Sequence, residues 1–321
     1  MSCWRGRAVR RAIARTDGTM LHTDHIRIDP VYRAALEACG LDGVEAVLAR
    51  TDGDVAAWSR TTDTVYVANP EGGPGFYVKR YFYARWRKRV RGAFRGTFFG
   101  QHRGQAEYHL LNGLRELGLP GVRPAAYGSR RVGHFVTACF LITEEVPGAC
   151  NMTTFARDVI SGRRTLTLEQ RRVISRRLAR QVADLHTARF AHGQLFWRNV
   201  LIRFGPAGDP EFFFLDVRPR HGGRRIGRGG RWWLQELAHL TVSALPFTTR
   251  SERMRFLVEY FGARKLSPDV KQLIGEIGRL AKRWERHELQ RIRMNDLFEE
   301  WSRELEVEQA ACGGECGESR S

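Results

Sequence analysis

The segment His192-Gly193-Gln194-Leu195-Phe196-Trp197-Arg198-Asn199 constrains the chain more than any other. It runs into a β-type stretch, Val200 to Phe204, then a Gly/Pro turn, then a second β-type run, Glu211 to Leu215, which stops at Asp216. Two oxygen-bearing side chains, Asn199 and Asp216, thus bracket a pair of short strands. A helical pattern precedes the segment: Thr167 and Gln170 have capping-box spacing ahead of Val173, Ile174, Leu178, Val182 and Leu185.

The rest of the chain is large enough to support such a unit. With 321 residues and 42% hydrophobic content it can bury a full core. The longest apolar runs, such as Phe135 to Ile142 and Leu237 to Phe247, fall short of the ~20 residues needed to cross a bilayer. Residues Met1 to Arg15 are basic and lack the apolar stretch of a secretory signal, so the expected compartment is the cytoplasm. Six scattered cysteines do not form a secreted disulfide framework and are expected to be reduced. Cys312 and Cys316, in a Gly-rich tail without further Cys or His nearby, are read as incidental rather than metal-binding. The 53 Lys and Arg against 35 Asp and Glu leave a net charge of +18, mostly arginine. Arginine favours bidentate phosphate contacts, so a polyanionic partner is implied: nucleic acid, an anionic membrane or a phosphorylated glycolipid.

Patterning divides the chain. Residues 1–24 read as a flexible basic arm. Val55 to Trp58, Thr64 to Ala68 and Phe76 to Tyr81 read as strands, with Asn69 to Gly75 as a hairpin loop. Across residues 80–103, which hold eight Arg or Lys, Phe82, Trp86, Val90, Phe94 and Phe98 recur every four positions, the pattern of a basic amphipathic helix. A second helix is expected from Gln105 to Leu117, then strands near Ala125 to Tyr127 and Phe135 to Glu144. These make an α+β lobe over 25–146. A helical lobe follows over 147–306, with helices at Trp232 to Leu245, Ser251 to Phe261 and Pro268 to Leu305, and a disordered tail over 307–321.

A strand-rich lobe, a hinge and a helical lobe follow one another in the order of a protein kinase, so the stations of phosphoryl transfer can be sought. Strand alternation sends Tyr77 and Lys79 to one face, where the lysine could reach nucleotide phosphates, and Glu107 in the following helix is its natural partner. Alone, Lys79 is more simply an exposed strand lysine and Glu107 a solvated helix-face glutamate. Histidine, leucine and asparagine of the 192–199 segment have the spacing of the kinase pattern H-R-D-L-x-x-x-N, and Asp216 stands where the D-F-G aspartate would be. Asn199 and Asp216 would then face Mg²⁺ on the phosphates of ATP. His192 is read as a packed structural residue.

The whole arrangement resembles the lipopolysaccharide kinase family, the Kdo and core-heptose kinases of Gram-negative bacteria. The resemblance rests on Val78-Lys79-Arg80, Ala106-Glu107, Leu117-Gly118-Leu119-Pro120, Asp184-Leu185-His186, His192 to Asn199, Leu215-Asp216 and Leu237-Ala238 near Arg231-Trp232. It implies a protein-kinase-like bilobal fold and transfer of phosphate from ATP, with Mg²⁺, to a sugar hydroxyl of a membrane glycolipid at the cytoplasmic face of the inner membrane. By the same resemblance, backbone groups near Glu145 and Val146 would bind adenine; a strand ending at a Pro-Gly turn is the plainer reading of that stretch. Arg85, Trp86, Arg89 and Phe94 would lie on the anionic membrane, or the same stretch packs on its own lobe with a solvated basic face.

Three departures from the family pattern matter. Gln194 replaces the catalytic aspartate; it cannot accept a proton at neutral pH, although its carbonyl can orient a hydroxyl. Asn199 replaces a frequent histidine, which favours retained metal binding. The stretch Ser59-Arg60-Thr61-Thr62-Asp63 has no glycine to cradle phosphates, so Arg60 or the hydroxyls would have to substitute. A pseudokinase that binds nucleotide or lipid is the alternative. A nucleic-acid-binding protein would explain the charge but not the ordered stations.

Overall fold

The computed structural model describes residues 22–51, 53–58, 62–83, 98, 100–218, 231–263 and 265–314. These fall into two compact units. The first holds the described residues up to Cys150 together with Asp184–Gln194 and those from Asn199 to Arg218; the second holds Asn151–Ala183, Leu195–Arg198 and the residues from 231 on. The division departs from a cut after residue 146 because the hairpin carrying Asp216 is tied to the first unit by backbone bonds: Val122 N–H donates to the Phe214 carbonyl (3.0 Å) and Phe214 N–H to that of Pro120 (3.0 Å).

The first unit is built on strands β1 (His22–Ile28), β2 (Asp54–Trp58), β3 (Thr62–Val67), β4 (Phe76–Phe82), β5 (Pro124–Val132) and β6 (Phe135–Glu144), in the sheet order β1-β5-β6-β4-β3-β2. Every assigned pairing is antiparallel. Alternation along β4 gives its two faces different jobs. Phe76 and Val78 join a core with Leu36, Val44, Val47 and Leu48 from two short helices, α1 (Arg33–Ala38) and α2 (Val44–Ala49), and with Leu41 between them. Lys79 and Tyr81 turn to the other face, toward helix α3 (Arg103–Glu116). Neither α1 nor α2 was expected, although Asp29-Pro30 ahead of the apolar positions is a helix-start signal: Asp29 accepts from Val31 N–H at 3.1 Å.

Arg80 stays on the α1/α2 side and is buried. Its guanidinium pairs with Asp63, directly opposite in the β3/β4 register, at 2.9 and 3.0 Å, and donates to the carbonyls of Val47, Leu48 and Arg50 at the end of α2. Those carbonyls have no partner within their own helix, so the arginine completes the helix end.

Helix α3 is set close against the sheet. A Cβ on Gly104 would lie 2.2 Å from the Phe140 carbonyl oxygen, so only glycine permits this approach. His102 caps the helix, its Nδ1 accepting from Gln105 N–H at 3.2 Å. That role requires a neutral ring, and burial, aided by Arg131 and His25, lowers its pKa to about 3. The unit is completed by β7 (Val200–Phe204) and β8 (Pro210–Phe214), paired with Val200 opposite Phe214.

The second unit contains α4 (Met152–Ile160), most of α5 (Leu168–Thr187), α6 (Trp232–Ala244), α7 (Arg250–Tyr260) and α8 (Pro268–Gly314). Thr167 and Gln170 form the expected reciprocal cap (2.8 and 3.1 Å), and Thr249 with Glu252 forms another ahead of α7. Phe196 stacks on His239 (centroids 4.2 Å apart) with Trp284 at its edge, and the nearly inaccessible Glu288 pairs with Arg198. An apolar cavity of about 630 Å³ is lined by Met152, Phe155, Leu178, Leu240 and Phe247, with Arg171 among its polar lining.

Three expectations are corrected. Residues 22–24 belong to β1, where Asp24 pairs with Arg130 (2.6 Å), so a basic arm ends no later than residue 21. Residues 80–103 are not one helix: Arg80, Tyr81 and Phe82 are strand, and Arg103 opens α3. A repeat of four is also a multiple of the strand period of two, and Phe82 packs on the core as a strand residue would. Helix α8 runs to Gly314 rather than ending near 306, as suits Val307-Glu308-Gln309-Ala310-Ala311, a stretch rich in helix formers and without proline.

Among the described residues no helix is long and apolar enough to cross a membrane. Cys39, Cys139 and Cys150 form no disulfide; Cys316 and the Cys312 side chain lie outside the described residues.

Candidate active site

Three of the residues singled out in the sequence, Lys79, Glu107 and Asp216, meet in the first unit. Lys79 Nζ lies 3.1 and 3.2 Å from the two oxygens of Glu107 and 2.7 Å from Asp216 Oδ1. Strand β4 supplies the lysine, α3 the glutamate, and the end of β8 the aspartate. Tyr81, two residues along the same strand face, adds a hydroxyl donated to Glu107 Oε2 at 2.9 Å. Sequence reasoning did not single out Tyr81; the period-two alternation from Lys79 is the signal that could have found it.

Electrostatics follow from this packing. Burial works against the Lys79 charge, but the carboxylates of Asp216 and Glu107 outweigh it and hold the ammonium well above the usual lysine range. Burial raises the pKa of Glu107, and the lysine offsets this only in part. Asp216 is also penalised by burial, yet Lys79, with help from Arg218 and His192, brings it below the ordinary carboxylate value. The two acids are thereby pushed apart: Asp216 is the firm anion and Glu107 the orienting partner.

Asp216 has φ of +57°, a left-handed conformation that non-glycine residues seldom adopt. Such strain costs on the order of 1 kcal/mol and clusters at functional sites. Asn199 is brought beside it by the hairpin: Leu215 N–H donates to the Asn199 carbonyl at 3.1 Å. The Asn199 side-chain NH₂ donates to the Gln194 carbonyl at 2.8 Å, so its Oδ1 is the side-chain atom that could meet a cation. Lys79 takes Asp216 Oδ1, leaving Oδ2. The donor set therefore fits a hard divalent cation of the Mg²⁺ type, which takes few protein oxygens and completes its shell with phosphate and water. Among the described residues no cluster of three or more His, Cys, Asp or Glu side chains could hold a metal.

Gln194 sits in the same loop. Its N–H donates to His192 Nδ1 (3.3 Å), and its side-chain Oε1 is buried without a hydrogen-bond partner. An acceptor left in this state costs about 1–3 kcal/mol, which a ligand hydroxyl would recover. His192 is fully buried, edge-on to Phe214 at 5.9 Å, a structural residue as expected.

Glu145 is tied into the fold. Its carboxylate accepts from Tyr66 Oη and Gly75 N–H, both at 2.9 Å, and its own N–H donates to the Gly75 carbonyl (2.8 Å). That amide is unavailable to a base, because it holds the β3–β4 loop; the Val146 carbonyl likewise accepts from Ala149 N–H at 3.1 Å. The Glu145 carbonyl and the Val146 N–H take part in none of these bonds. Thr62 and Asp63 lie in β3, not in a loop, while 59–61 and the membrane candidates Arg85, Trp86, Arg89 and Phe94 lie outside the described residues.

Comparison with known proteins bears on this constellation. The sequence pattern of the lipopolysaccharide kinase (Kdo/WaaP) family matches residues 57–260, more than half of the chain and a span that contains every station above. The chain belongs to this family. Within the family it is similar to the lipopolysaccharide core heptose(I) kinase WaaP of Pseudomonas aeruginosa, with 26% identity over 194 residues covering 60% of this chain and 71% of that one. The Escherichia coli kinase of the same name is 23% identical over 161 residues, covering 49% and 59%. Among solved structures, WaaP in complex with acyl carrier protein matches at a TM-score of 0.57 and 24% identity, over 81% of this chain and 98% of that one. The family therefore brings with it the protein-kinase-like fold expected from the order of strands and helices.

Proposed function

We propose that this chain is an ATP-dependent phosphotransferase of the lipopolysaccharide kinase type, acting on a sugar hydroxyl of a membrane glycolipid. The observation that carries the reading is the three-way contact of Lys79 with Glu107 and Asp216. Lys79 would meet the nucleotide phosphates, Glu107 would hold it there, and Asn199 with Asp216 would hold Mg²⁺. When bound, that ion would supply neutralisation of phosphate charge. Glu145 and Val146 would present backbone groups to adenine. Gln194 Oε1 would accept the hydrogen of the attacking hydroxyl and so orient it, without removing the proton.

Phosphoryl transfer depends mainly on positioning and charge stabilisation, while a general base contributes ~10² to 10⁴ in rate. The proposed enzyme is accordingly slow rather than inert. Incubation with γ-labelled ATP, Mg²⁺ and core-oligosaccharide glycolipids should label the glycolipid. No label on any acceptor, together with intact nucleotide binding, would support the second reading, a nucleotide-binding pseudokinase, which Gln194 favours.

A further reading concerns the second unit. A related WaaP is described in complex with acyl carrier protein. The apolar cavity of about 630 Å³ has the size and lining for an acyl chain, and an acyl group delivered by such a carrier is a candidate occupant. Mass spectrometry of the purified protein under native conditions should find a bound fatty acyl species. The +18 charge and the family reading support work at an anionic membrane surface, where the carrier and the glycolipid would both be met.

A further inference from the structure

Around Asp216 stand two guanidinium groups that the reading above does not use. Arg103 opens α3 one turn before Glu107, so both side chains fall on one face of the helix. Its guanidinium carbon lies 4.8 Å from the centre of the Tyr81 ring, the same ring whose hydroxyl holds Glu107. Stacking on an aromatic face engages the flat of the guanidinium and leaves its N–H edge free to donate. That edge has no hydrogen-bond or ion-pair partner among the described residues. Burial works against the Arg103 charge, but Tyr81, Tyr83, Asp216 and Glu107 more than offset it, so the group stays cationic.

Arg218 lies two residues beyond Asp216, its N–H tied to the His192 carbonyl at 3.0 Å. Its Nε is buried and has no partner. A buried charged donor left unpaired is costly, and fixed cations of this kind are satisfied by anions. Lys79 is already neutralised by two carboxylates. The stretch between β2 and β3, meanwhile, carries no glycine with which backbone could wrap a phosphate.

We propose that Arg103 and Arg218 bind the terminal phosphoryl group of the nucleotide, doing with side chains what a glycine-rich loop does with backbone amides. The inference rests on the kinase reading and deepens it. Arg103 and Arg218 are binding residues here: they recognise the phosphoryl oxygens, while Lys79 and the metal ligands serve the inner phosphates.

The test is titration of the full-length chain with Mg·ATP, Mg·ADP and adenosine, in the wild type and in Arg103→Gln, Arg103→Lys and Arg218→Gln. Loss of one charge-assisted contact should weaken ATP binding about 10-fold or more in each glutamine variant. ADP should weaken much less, adenosine not at all, and Arg103→Lys should keep part of the ATP affinity. Equal losses for ATP and adenosine would mean a structural role and overturn the proposal, as would unchanged ATP affinity in Arg103→Gln. If Arg218→Gln fails to fold, Arg103 decides the matter. ADP losses matching those for ATP, or a loss confined to binding of a phosphorylated glycolipid, would assign the arginines elsewhere and also overturn it. A wild type that binds no nucleotide at all would remove the kinase reading itself, an outcome distinct from any of these.

Discussion

Lys79 Nζ lies 2.7 Å from Asp216 Oδ1, a contact between residues 137 positions apart in the chain. One end is fixed by β4, paired on both sides within the six-stranded sheet; the other is a left-handed residue at the end of a hairpin. The contact brings the lysine and the Asp216 carboxylate to one point. The consequences can be tested separately.

Replacing Lys79 with Met should leave Glu107 and Asp216 facing each other uncompensated. Removing one partner of a buried pair costs several kcal/mol, and here roughly 3 kcal/mol is expected because the Lys79 side chain keeps 21% exposure. Urea denaturation measures the loss, and Mg·ATP binding should weaken in parallel. A Lys79→Met variant as stable as wild type would show that the cluster is not coupled.

Gln194→Asp should restore a base where the loop already holds an unpartnered oxygen acceptor. ATP turnover with acceptor should rise ~10² -fold or more if only the base is missing. The readout is kcat at saturating ATP, since positioning of the nucleotide does not involve Gln194.

Gly104→Ala puts a methyl 2.2 Å from the Phe140 carbonyl oxygen, so α3 must shift. Glu107 would move with it, and the Lys79 contact should loosen. A stability loss of about 1–3 kcal/mol is expected from the overpacking, with weaker Mg·ATP binding. Ala at the outward-facing Gly113, where a Cβ meets nothing within 4 Å, is the control.

His102 titrates at about 3 in the fold against an ordinary 6.5. Between these values the unfolded chain binds the extra proton, so stability is full above pH 6.5 and falls as pH drops toward 3. At pH 5 the loss from this residue should be about 2 kcal/mol. His102→Asn keeps a capping side chain without the titration, and its denaturation midpoint should vary less between pH 7 and 5.

Much of the site was legible because its residues are bound to local periods. Alternation put Lys79 on one face of β4, a helix signal placed Glu107, and the spacing from His192 to Asn199 and on to Asp216 follows one continuous loop and hairpin. What escaped depends on pairing at a distance. Asp63 looked like a loop residue because its partner Arg80 is chosen by strand register, and Arg80 looked like part of a basic helix face. Glu145 looked available as a hinge because nothing local reveals that its amide and carboxylate are spent on Gly75. Helices α1 and α2 escaped because each is only six residues long, too short to establish a period by itself, and is held by burial of Leu36, Val47 and Leu48.

The most direct measurement is binding of ATP to the wild type and to Asp216→Ala, each with Mg²⁺ and with EDTA, followed by calorimetry. The wild type should bind ATP in a Mg²⁺-dependent manner, and Asp216→Ala should lose that dependence and most of the affinity. Unchanged Mg·ATP binding in Asp216→Ala would contradict the assignment of Asp216, and with it the reading of Lys79, Glu107 and Asn199 as a phosphotransfer site.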